Sequence, residues 1–86
     1  MTRFAVVFKG SARKELEGLP DRFLRRVFLK IEILAENPRP AGCRKLRNSS
    51  DLWRVRVGDY RVVYSINDDA RTVEILRVRH RREVYD

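Results

Sequence analysis

Three patterns in the chain predict an α+β fold: a small curved, mainly antiparallel sheet with two helices packed on one face. Residues 52–66 alternate side chains on both sides of Gly58-Asp59, the spacing of two strands joined by a two-residue turn. Residues 22–36 place Phe23, Leu24, Val27, Phe28, Ile31, Leu34 and Ala35 three and four positions apart, which is helical spacing. Residues 3–9 alternate again, with Phe4, Val6 and Phe8 on one side. The predicted order is strand, helix, helix, strand, strand, strand, with residues 1–86 forming one domain around one modest core.

Each element has a start and a stop. Gly10-Ser11 ends the first strand, and Ser11 is the expected N-cap of a short helix reaching about Gly18, with Ala12, Leu16 and Leu19 on one face. Leu19-Pro20-Asp21 breaks that helix, and Asp21 is the expected cap of the second. Asn37-Pro38 stops the second helix, because the residue before a proline is pushed out of helical backbone angles. Residues 38–51 read as a loop, rich in Pro, Gly, Asn and Ser. Asn67-Asp68-Asp69-Ala70 forms a second turn before a last strand over about residues 71–79. In that strand Val73 and Ile75 have one parity and Leu76 and Val78 the other. It is therefore buried on both faces or interrupted by a bulge near Arg77.

The hairpin register sorts its residues by face. With Gly58-Asp59 as the turn, Val57 faces Tyr60, Arg56 faces Arg61, Val55 faces Val62 and Trp53 faces Tyr64. Trp53, Val55, Val57, Tyr60, Val62 and Tyr64 then form an apolar face for the helices to cover, while Arg54, Arg56 and Arg61 point the other way, onto an open face. Arg56 and Arg61 repel across the strands, and the local pattern supplies no carboxylate on their side. A charged cluster that costs stability suggests an anionic ligand.

Composition agrees. The formal net charge is +8, and the basic residues are sixteen Arg against four Lys, a bias that favours forked recognition of phosphate. One cysteine, Cys43, cannot form an internal disulfide, and no apolar run approaches the ~20 residues that span a bilayer. These features predict a soluble cytoplasmic protein without a membrane partner. One His and one Cys, with Asp51, Glu74 and Glu83 in no ligand pattern, give no metal site.

The stretch Leu52-Trp53-Arg54-Val55-Arg56-Val57-Gly58-Asp59-Tyr60-Arg61-Val62-Val63-Tyr64, with His80-Arg81-Arg82-Glu83-Val84-Tyr85 at the end, resembles the RelE-type toxins of the RelE/ParE toxin–antitoxin superfamily. The resemblance extends over nearly the whole chain. It implies a ribosome-dependent mRNA endoribonuclease that needs neither metal nor small-molecule cofactor. In such enzymes the ribose 2′-hydroxyl attacks the adjacent phosphate in the ribosomal A site, leaving a 2′,3′-cyclic phosphate and a 5′-hydroxyl. Carried over by position, the catalytic set falls on Arg54, Arg56, Arg61, Arg81 and Tyr85. Lys45, Arg47, Arg77, Arg79 and Arg82 are the expected RNA phosphate contacts. The implied partners are a cognate acidic antitoxin and the ribosome, through both rRNA and the message in the A site.

Two departures from the family pattern matter. Arg54 and Arg56 stand where the best-known members carry lysine, and arginine stays protonated, so these residues can stabilise charge but not accept a proton. Proton transfer is left to Tyr85, or to His80 as a second-tier candidate. The second departure is the ending at Asp86, so the C-terminal helix of longer members is not expected here. The alternatives are a ParE-like gyrase inhibitor on the same fold, or a catalytically inactive homologue that binds RNA or a partner.

Overall fold

The computed structural model describes residues 3–47 and 51–80. Among them the elements run β1 (Ala5–Phe8), α1 (Gly10–Glu17), α2 (Asp21–Glu36), β2 (Arg44–Lys45), β3 (Leu52–Val57), β4 (Tyr60–Asn67) and β5 (Thr72–His80). The strands form one open sheet in the order β1-β5-β4-β3-β2. Among the described residues only the β1–β5 pair is parallel; the two helices between those strands make the crossover.

The hairpin register is the one expected: Val57 opposite Tyr60, Arg56 opposite Arg61, Val55 opposite Val62 and Trp53 opposite Tyr64. Gly58 has φ +58°, the conformation that the first position of this tight turn requires and that a side chain would strain. In the last strand a bulge settles the parity conflict. Val63 pairs with Arg77 but Tyr64 pairs with Ile75, so Leu76 is the extra residue. Val73, Ile75 and Val78 all reach the helix side and are buried there.

Three local expectations need correction. Ser11 does not cap α1; the helix begins at Gly10 with Lys9 in the cap position and no side-chain cap bond. Sheet pairing decides this, since the Lys9 N–H still donates to Ile75 O (2.9 Å) and the chain turns directly from strand to helix. Asp21 is the first helical residue of α2, not its cap, because Pro20 already supplies the carbonyl that accepts from Phe23 and Leu24 N–H (both 2.9 Å). Within the expected loop, Arg44 and Lys45 form a short strand on β3, extended by Leu46 N–H donating to Leu52 O (2.9 Å). Two residues are too few for an alternating pattern to announce a strand.

The core lies between the helices and one side of the sheet. Ala12 and Leu16 of α1 and Val27, Ile31 and Leu34 of α2 meet Val55, Val57, Val62, Tyr64, Val73, Ile75 and Val78. Tyr64 is fully buried, and its hydroxyl donates to Pro38 O at 2.7 Å. Burial and the neighbouring Cys43 push this phenol well above its ordinary range. Trp53 and Tyr60, expected in the same layer, are only half-buried.

Candidate nucleic-acid interface

Residues in register on neighbouring strands project to the same side of a sheet, so the strand register sorts the side chains by face. On the side away from the core, Arg56, Arg61 and Arg79 form one row across β3, β4 and β5. Arg44, Arg54, Val63 and Arg77 form the next row, across β2 to β5. Among the described residues, six arginines thus leave the sheet on one side. Beyond the bulge, Leu52, Ser65 and Glu74 make a row with no cation.

These arginines differ in environment. Arg44, Arg56 and Arg77 are exposed and make no ion pair among the described residues. Arg61 is half-buried. Arg54 is only 5% exposed, as is its neighbour Val63, so this side is not uniformly open as expected. Arg54 lies on a strand flanked on both sides, by β2 and β4, where neighbours take up much of its surface.

The absence of a carboxylate, expected from the local pattern, does not hold for Arg79. Glu15 of α1 accepts from Arg79 Nε at 2.6 Å and, through its other oxygen, from Val78 N–H at 2.9 Å. This contact joins residues more than sixty positions apart, beyond any local reading of the sequence.

Two candidates fall on the opposite side. Lys45 is in register with Trp53, and its ammonium sits 5.8 Å from the Trp53 ring centre, with the Arg39 guanidinium 5.2 Å from the same ring. His80 is in register with Tyr60 and meets that ring edge-on at 5.5 Å; Phe23 of α2 lies 5.0 Å from Tyr60 on its other flank. Neither side chain joins the Arg56–Arg61–Arg79 row. Arg47 is exposed beyond β2. Arg81, Arg82 and Tyr85 lie outside the described residues.

Arg44 was missed from sequence. Only its pairing with Arg54 reveals it, because a one-residue change of register would exchange Arg44 and Lys45 between faces. Among the described residues no three His, Cys, Asp or Glu side chains cluster to hold a metal ion, and no helix is long and apolar enough to cross a membrane.

This sheet, with its helices on one side and arginines on the other, has the architecture of toxins from toxin–antitoxin pairs. The archaeal RelE–RelB complex from Pyrococcus horikoshii OT3 superposes with a TM-score of 0.83 at 32% identity, covering 96% of this chain and 100% of that one. The toxin–antitoxin complex RelBE2 from Mycobacterium tuberculosis gives 0.81 at 35% identity, covering 93% of each chain. In sequence, the toxin RelG of Mycobacterium tuberculosis is 36% identical over 83 residues, 95% of either chain. Residues 6–85 match the family described as ParE toxin of type II toxin–antitoxin system. The chain belongs to that family and is a RelE-type toxin.

Proposed function

We propose that this toxin is a ribosome-dependent mRNA endoribonuclease that acts in the cytoplasm as one domain over residues 1–86. The observation that carries this reading is the pair of arginine rows on the side of the sheet left free by the helices. In-line cleavage requires an aligned phosphodiester, positive charge at the pentavalent phosphorus, and groups that take and return a proton. Arg56 and Arg61 face each other across the hairpin and grip the scissile phosphate between them, with Arg54 and Arg81 adding charge. The 2′-oxygen attacks phosphorus as its proton leaves, the bond to the 5′-oxygen breaks, and that oxygen takes a proton to give a 5′-hydroxyl. Arginines cannot accept the first proton. Because His80 packs against Tyr60 on the other side, the role of base is assigned to Tyr85. Arg44, Arg47, Arg77 and Arg82 hold flanking RNA.

The proposed partner is an acidic antitoxin, as its relatives from Pyrococcus horikoshii and Mycobacterium tuberculosis are known in complexes with theirs. Primer extension on a translated message tests the reading. Expression of the chain should produce cuts phased to codons that vanish when translation is blocked. Growth arrest with intact message, accompanied by loss of DNA supercoiling activity, would instead identify a gyrase inhibitor.

A further inference from the structure

We propose that Glu15 is a positioning residue for the RNA-binding side, acting through Arg79; this rests on the nuclease reading above. The strand β1 pairs with β5 over Thr72 to Ile75, so among the described residues no strand lies beside the edge of β5 from Leu76 to His80. Glu15 of α1 delivers one carboxylate to that edge. Glu15 Oε1 accepts the edge N–H of Val78 at 2.9 Å, and Oε2 accepts from Arg79 Nε at 2.6 Å. The two side chains are 22% and 35% exposed, sheltered enough for the pair to hold its geometry.

The choice of Nε matters. A guanidinium has five N–H donors, and occupying Nε leaves the four on the two terminal nitrogens available to a phosphate. Arg79 is in register with Arg61 and, through it, with Arg56, so a fixed Arg79 extends the clamp by one strand. A free arginine would lose several rotatable degrees of freedom on binding; one already held by Glu15 has lost them before RNA arrives. The same carboxylate ties the clamp to α1, so the helix layer sets the position of a side chain that works on the other side of the sheet.

Glu15→Gln separates this role from simple edge protection. The amide oxygen still accepts from Val78 N–H, but the amide nitrogen can no longer accept from Arg79. The expected result is an unfolding midpoint close to that of the parent and a rise in KM for ribosomal complexes of about tenfold, the size of one charge-assisted hydrogen bond, with kcat little changed. In an Arg79→Ala background the same substitution should have no further effect. Equal losses in both backgrounds would make Glu15 merely structural, and an unchanged or lower KM would mean that it quenches Arg79; either overturns the proposal. If the parent chain binds ribosomes without cutting message, the nuclease reading fails, and the same four proteins are compared by ribosome affinity. Non-additivity there sustains the role of Glu15 in binding, and additivity overturns it. A parent chain that neither cuts nor binds overturns both.

Discussion

Tyr64 shows how one residue can serve the core and a loop together. Its ring fills the layer under the helices while its hydroxyl satisfies the carbonyl of buried Pro38, the residue at which the chain leaves α2. Tyr64→Phe keeps the ring but leaves that carbonyl without its donor, and should lower stability by about 1–3 kcal/mol in urea unfolding. The pH dependence has a definite sign. The folded phenol titrates above the unfolded one, so its contribution is complete below pH ~10 and is lost as pH rises beyond that. Parent and Tyr64→Phe stabilities should therefore converge on the alkaline side. At the acidic end, Arg39 holds Asp68 below the usual carboxylate range through two bonds of 3.2 and 3.0 Å, so that pair contributes above the ordinary Asp range and fades as pH falls through it. Residue by residue, legibility followed locality. Arg56 opposite Arg61 could be read because two intervening residues define the turn. Arg44, Glu15 and the placement of His80 could not, because each depends on a strand or helix distant in sequence.

At the scale of elements, the β3–β4 hairpin is the frame on which the arginine rows are built, and its turn is tightly specified. Gly58 has positive φ, and a Cβ there would lie 3.2 Å from Arg26 Nη1, which reaches over the turn from α2. Arg26 is thus part of the hairpin's packing and not only a solvated helix residue. Gly58→Ala combines backbone strain with displacement of that guanidinium and should cost about 1–3 kcal/mol, measurable as a lower denaturation midpoint with an unchanged m-value. The long helix, the hairpin and the first strand were legible because each repeats its apolar spacing over several residues. The strand β2 and the helix starts were not, since they depend on pairing with β3 and β5. The final strand lies between these cases: its broken parity signalled an irregularity, and the partner register located it at Leu76.

For the whole molecule, a net charge of +8 guarantees attraction to polyanions but does not select a face. The fold makes that selection by alternation along the hairpin, which puts Val55, Val57, Val62 and Tyr64 under the helices and Arg54, Arg56 and Arg61 on the other side. Binding to single-stranded RNA should weaken with salt at a log–log slope that loses about 0.7 for each phosphate contact removed, so Arg56→Ala should flatten the slope by that amount. Arg25→Ala, which removes an exposed cation from α2, should leave it unchanged. The most direct test of the central claim is the single-turnover cleavage rate of a message on reconstituted ribosomes for Arg61→Ala, with Arg25→Ala as a charge-matched control. Loss of about a hundredfold for Arg61→Ala alone, comparable to removing one preorganised donor from a charged transition state, is the expected result. Equal rates for the two variants would contradict it, because net charge and not the arginine rows would then account for activity.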